Sequence, residues 1–167
     1  IGNVINPLDM IDKYGADALR VALVMSTTPG RDSNVGESKV RGMRNFSNKI
    51  WNASRYVKGL QNDSAKKPAD AKFNRRLTQI EKNIGKLIES LKIGLAAEKI
   101  YNEFWHWYCD ICIEENKQGK ITNRVLKQGL RRFLLLLHPF MPFVTEAIWQ
   151  QGFAKNKKDL LITSSWP

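Results

Sequence analysis

No apolar run in this sequence is longer than the five residues 133–137. That is far short of the ~20 residues a membrane-spanning helix needs, so no membrane partner is expected. The opening Ile1-Gly2-Asn3 lacks the basic-then-apolar character of a secretory signal, and it lacks an initiator methionine, which suggests a piece of a longer protein. Cysteine is scarce. Cys109 and Cys112 are the only two, too few for a disulfide scaffold, and a reducing, cytoplasmic setting is expected. Acidic side chains are also in short supply: 16 Asp and Glu face 27 Lys and Arg, for a net charge of +11. That imbalance favours a polyanionic partner, because each Lys or Arg set on a phosphate releases condensed counterions. A merely solvated basic surface is the plainer alternative. Nucleotide-binding and hydrolytic fingerprints are missing as well: no Walker A loop, no dinucleotide glycine motif, no His-Glu-x-x-His and no Gly-x-Ser-x-Gly. No catalytic residue is therefore assigned.

What the sequence does contain is helical periodicity. Asn6-Pro7 reads as a helix start, and Leu8, Ile11 and Tyr14 follow at helical spacing until Gly15 interrupts. Residues 17–25 continue as a second helix, and 26–30 read as a loop. A long helix is expected over 37–61, with Val40, Met43, Phe46, Ile50, Ala53, Val57 and Leu60 as its buried stripe. Its opposite side carries Arg41, Asn45, Asn48, Asn52 and Arg55. Asn is a poor interior helix residue, so this face is either a hydrogen-bonding surface or simply solvated. A polar linker is expected over 62–72. Further helices are expected over 73–92 (stripe Phe73, Leu77, Ile80, Ile84, Leu87, Leu91), 95–117 (Ala97, Ile100, Phe104, Trp107, Ile111 inward), 122–137 and 142–151. Apart from a strand-like 160–163, no alternation of useful length is present. The expected fold class is all-α: an antiparallel helix bundle with a short N-terminal helical appendage.

Three clusters invite chemistry. His106, Cys109 and Cys112 lie at three-residue steps, but zinc wants four ligands and a redox Cys-x-x-Cys wants a βαβ setting, so no metal residue is assigned. Tyr101, Phe104, Trp105, Trp107 and Tyr108 are too many for one helix face. Most belong to the core, and any that reach the surface suit the stacking of unpaired RNA bases. Glu114 and Glu115 are either solvated or placed to accept from a base edge. Residues and composition alone lead to a basic helical bundle with RNA as its favoured partner.

Several segments resemble class I aminoacyl-tRNA synthetases. The opening Gly2-Asn3-Val4-Ile5-Asn6-Pro7 and Tyr14-Gly15-Ala16-Asp17-Ala18-Leu19-Arg20 are similar to the stretch that follows their Lys-Met-Ser-Lys-Ser loop. Leu137-His138-Pro139-Phe140-Met141-Pro142-Phe143-Val144-Thr145-Glu146 resembles a signature of the valyl, isoleucyl and leucyl group. Pro29-Gly30-Arg31-Asp32, the run from Arg44 to Tyr56, and Tyr108-Cys109-Asp110 with Ile113-Glu114 resemble the valyl branch. That branch usually has Trp-Tyr after the Cys-Asp, where this sequence has Ile111-Cys112.

The resemblance covers nearly the whole chain and implies an anticodon-binding module. Residues 1–33 would be the connector helices after the missing loop, and 34–167 the anticodon-binding bundle. The parent enzyme would attach valine to tRNA-Val using ATP and Mg, with the catalytic and editing domains of the same chain as partners and a coiled-coil arm beyond Pro167. The fragment alone, expected to be a monomer, would hold no cofactor and catalyse neither step. By matched position, Tyr56 would stack on a splayed base, Ile113 would pack on a neighbouring base face, and Glu114 would accept from a base edge, together reading the middle A and third C of the anticodon. Arg44, Lys49 and Arg55 would steer phosphates. The same domain of an isoleucyl or leucyl enzyme, or a basic helical protein-interaction adaptor, remain the alternatives.

Overall fold

The computed structural model describes residues 6–26, 35–61, 63 and 66–167. Residues 1–5, the 27–34 stretch with its Pro29-Gly30-Arg31-Asp32 run and the expected 33/34 boundary, and Asn62, Ser64 and Ala65 lie outside the described residues.

Helix α1 (Pro7–Tyr14) starts as its sequence dictates. The Asn6 side chain accepts from the Leu8 amide at 3.1 Å, and Pro7 takes the first position, where a missing N–H costs nothing. Gly15, at φ +88°, turns the chain into α2 (Ala16–Ser26). The face that α1 buries differs from the expected one: Met10 and Tyr14 are in the core, while Leu8 and Ile11 face solvent. Tyr14 sets that rotation, because its hydroxyl donates to Glu37 at 2.7 Å. Ala18, Val21 and Ala22 of α2 join the same core as the bundle.

The long helix α3 (Glu37–Gly59) buries Val40, Met43, Phe46, Ile50, Ala53 and Val57, with Leu60 half-buried just beyond it. Helix α4 (Pro68–Glu89) begins inside the expected linker. Pro68 occupies the first position, and Asp70 accepts from the Lys67 amide at 3.1 Å, so residues 68–72 form the first turns. The helix also ends early. Leu91 adopts φ +57° and is 82% exposed, which removes it from the buried stripe.

Next comes one continuous rod: α5 (Ile93–Asn102), a π-helical stretch (Glu103–Cys112) and α6 (Ile113–Lys117). Its deepest residues, Ala96, Ile100, Phe104, Tyr108 and Cys112, recur every four positions. A period of four drifts around an α-helix of 3.6 residues per turn. Widening to i→i+5 bonding, as where the Ile113 amide donates to the Tyr108 carbonyl, turns the ladder back toward the core. The same phase shift corrects the expected inward Ile111: it points out, 46% exposed, and Cys112 takes its place.

Helix α7 (Asn123–Leu137) is capped by Thr122, whose hydroxyl oxygen accepts from the Val125 amide at 3.2 Å. Helix α8 (Pro142–Gly152) follows, and residues 161–163 form a 3-10 turn rather than a strand. Glu146 explains that turn, since its carboxylate accepts from the Leu161 amide at 3.1 Å. The regular secondary structure among the described residues is all helical, with no strand, and none of their helices is long and apolar enough to cross a membrane.

Candidate nucleic-acid interface

Helix α3 divides its faces as its periodicity requires. Opposite the buried stripe stands a ridge of Arg41, Asn45, Asn48, Asn52 and Arg55, all exposed. None of the three amides has a hydrogen-bond partner among the described residues. The ridge is thus a row of unengaged donors and acceptors on a helix whose Asn content is unfavourable by propensity.

Along one flank of this ridge the rod comes alongside. Tyr56 is half-buried, and its hydroxyl donates to Asn116 Oδ1 at 3.1 Å. The Lys117 ammonium lies 5.6 Å from the centroid of the Tyr56 ring and 2.7 Å from Glu114 Oε1. The hydrogen bond to Glu114 raises the Lys117 pKa, so this ammonium stays charged. The ring of Tyr56 and the carboxylate of Glu114 therefore share one surface, bridged by Lys117. Glu114 is exposed, but Ile113 is buried beneath the patch and offers no face to a base in this structure.

The three basic residues differ among themselves. Lys49 is engaged: its ammonium sits 3.0 Å from Asp110 Oδ1 and 5.1 Å from the Trp105 ring centroid. His106 Nδ1 approaches the other Asp110 oxygen at 3.4 Å. Arg44 and Arg55 are exposed and make no ion pair among the described residues. Arg44 lines a cavity of about 460 Å³ between the appendage and the bundle, with Gly15, Asn48 and Trp51. Arg55 precedes Tyr56 directly, whereas Arg44 lies about 18 Å away along the helix at ~1.5 Å per residue.

The aromatic cluster is mostly core. Phe104, Trp107 and Tyr108 are buried, and the Tyr108 hydroxyl donates to the Leu126 carbonyl at 2.7 Å. Tyr101 and Trp105 are half-buried against Phe46, at centroid distances of 4.7 and 6.0 Å. Both cysteines are free and buried, and burial pushes each thiol up to about 12. At neutral pH they are protonated and behave as small apolar residues.

Sequence reasoning missed Asn116 and Lys117. The signal for Lys117 was present, since it follows Glu114 by three positions on one helix. Asn116 carried none, because its partners Tyr56 and Asn123 come from other segments.

Comparisons with known proteins give the family and the fold. The family described as the anticodon-binding domain of tRNA ligase matches residues 70–167, and the class I tRNA synthetases (I, L, M and V) match residues 1–36. Glu114 lies inside the first match, while Tyr56 lies between the two. The valine–tRNA ligase of Clostridium tetani is 40% identical over all of this chain, and that of Bacillus subtilis 36%. The chain spans about a fifth of the length of these relatives: 21% of each. Among solved structures, the ternary LeuRS–tRNA–LeuAMS complex from Agrobacterium radiobacter K84 shares the fold, with a TM-score of 0.75 and 24% identity over 99% of this chain and 21% of that one. With the first match covering more than half of its residues, the chain belongs to the family of anticodon-binding domains of tRNA ligases.

Proposed function

We propose that this chain is the anticodon-reading module of a valine–tRNA ligase, a cytoplasmic enzyme that joins valine to tRNA-Val at the expense of ATP with Mg. The observation that carries the reading is the shared surface of Tyr56 and Glu114, set beside the free amides of α3 on a domain of this family. A splayed base stacks on the Tyr56 ring by displacing the Lys117 ammonium, which then stands ready for a phosphate. Glu114, released from Lys117, accepts from a base edge. Ile113 backs this surface from below. Arg44 and Arg55 contact the RNA backbone and supply affinity without sequence information, and Lys49 joins them if it leaves Asp110. Valine over isoleucine or leucine is supported by the names of the relatives, whereas the leucyl complex supports the fold alone. ATP and Mg belong to the catalytic part of the parent enzyme, to which α1 and α2 connect this module, and the module alone, a monomer, catalyses neither activation nor transfer.

Titration with anticodon stem-loops of tRNA-Val and tRNA-Ile at fixed salt tests the reading. The valine stem-loop should bind best, and replacing its middle base should weaken binding by ~1–3 kcal/mol, as mismatches do at specific nucleic-acid sites. Equal affinity for all stem-loops of similar charge would overturn it in favour of a basic protein-interaction surface. Valine-dependent ATP–pyrophosphate exchange by this chain would overturn the assignment of catalysis to the rest of the enzyme.

A further inference from the structure

We infer that Asn116 is the positioning residue of the base-reading surface: it holds the Tyr56 ring at a fixed attitude and thereby sets discrimination between anticodons. The inference rests on the proposed stacking role of Tyr56.

Asn116 is buried, 7% exposed, and its side chain is almost fully used. Its Oδ1 accepts from the Tyr56 hydroxyl at 3.1 Å. Its Nδ2 donates to the Ile121 carbonyl at 3.2 Å and to Asn123 Oδ1 at 2.8 Å. An amide has two donor hydrogens and one acceptor oxygen, so this environment specifies its orientation. Flipping it would set Oδ1 against the Ile121 carbonyl, two acceptors facing each other. The orientation that survives always presents an acceptor to Tyr56.

The anchor is itself anchored. Asn123 Nδ2 donates to the Gln61 carbonyl at 2.8 Å, and the Asn123 amide donates to Asp63 Oδ2 at 2.8 Å. The end of α3, the end of α6 and the start of α7 therefore meet at one buried amide, and the plane of the Tyr56 ring is referenced to all three. A tyrosine whose hydroxyl is free has more rotamer freedom to lose when a base stacks on it. One tied at its tip is already in its bound attitude, so stacking a base on it costs less ordering. A plainer role exists: Asn116 also closes the turn over 118–122, and a turn-closing residue affects stability alone.

The two roles separate in a double-mutant cycle on the present chain. Tyr56→Phe keeps the ring and the fold but frees its tip, and Asn116→Ala removes the anchor. The measurement is the ratio of affinities for the valine stem-loop and the same stem-loop with its middle base replaced. Each single variant should lower that ratio about three- to tenfold, the range of one net hydrogen bond. The double variant should be no worse than Asn116→Ala, because both act through one bond. Discrimination unchanged in Tyr56→Phe, or effects that simply multiply in the double variant, would overturn the inference, and the Tyr56→Phe arm decides even if Asn116→Ala fails to fold. A wild-type chain that does not discriminate would instead remove the anticodon reading on which the inference stands.

Discussion

The carboxylate of Asp17 caps a helix that starts 125 residues later: it accepts from the Val144 amide at 2.7 Å and from the Phe143 amide at 3.2 Å. Helix α8 has no side-chain cap of its own, and Pro142 brings no N–H, so Phe143 and Val144 head its list of unpaired donors. The bond fastens the appendage to the bundle at the signature run Leu137–Glu146. The same run pairs His138 with Thr145 and lets Glu146 hold the tail at Leu161. Asp17→Ala should cost about 1–2 kcal/mol, the usual loss on removing a helix cap. At roughly 2–4 °C per kcal/mol for a domain of this size, the melting temperature should fall by several degrees. Amide exchange should quicken in α1 and α2 first. A variant that melts with the wild type would show that the appendage is held by its apolar contacts alone.

Among the described glycines, Gly129 has the least room for a side chain. A Cβ there would sit 2.6 Å from Phe73 Cζ and 2.9 Å from Tyr108 Cε2, and both rings are buried. Alanine favours helix over glycine by ~1 kcal/mol, but overpacking a filled core costs ~1–3 kcal/mol. Gly129→Ala should therefore destabilise. Gly85→Ala, in α4 with nothing within 4 Å of the new Cβ, should stabilise. Urea unfolding of the pair checks the argument, and it fails if the two variants shift in the same direction.

Leu91 pays a conformational penalty for no packing return. At φ +57° it sits where a Cβ crowds the next carbonyl, and its side chain is 82% exposed. It is the residue after the α4 cap, the position glycine favours. Leu91→Gly should raise stability by about 1 kcal/mol, and Leu91→Ala should not, because alanine keeps the strain. Equal thermal shifts for the two would show that the exposed leucine, and not its backbone, is the liability.

How much of this was legible in the sequence depends on how far apart the interacting residues lie. The start of α1 at Asn6-Pro7, the buried stripe of α3 and the end of α7 before Pro139 all follow from neighbours within a turn or two, and the sequence shows them. The exit of Ile111 was hidden, because it depends on the π-helical turns that a ladder of residues every four positions requires, and an apolar stripe read at 3.6 cannot reveal them. The start of α4 at Pro68 was masked by polar residues that read as linker, although Asp70 serves as a cap there and also accepts from Thr122 at 2.9 Å. In the candidate interface, Tyr56 came from resemblance, whereas Glu114 was one of two carboxylates the residues already offered and resemblance singled it out. Asn116, which joins Tyr56 to three segments, is recognisable only once the chain has folded.

The ring of His138 supplies the pH dependence. Thr145 Oγ1 donates to the Met141 carbonyl at 2.8 Å, so His138 Nδ1, at 2.9 Å, is the donor to that oxygen. Nε2 is then a sealed acceptor with no partner among the described residues. Adding a proton there places a charge in a site that gives it no hydrogen bond, and burial lowers the His138 pKa below its ordinary 6.5. The unfolded chain therefore takes up this proton first. The stability that the neutral ring contributes is complete above pH ~6.5 and is lost as pH falls through that value toward the folded pKa. Unfolding in urea at pH 7.5 and pH 5.5 should show a loss in the wild type that is smaller in His138→Asn, whose amide does not titrate. An equal acid loss in both proteins would move the effect to the carboxylates.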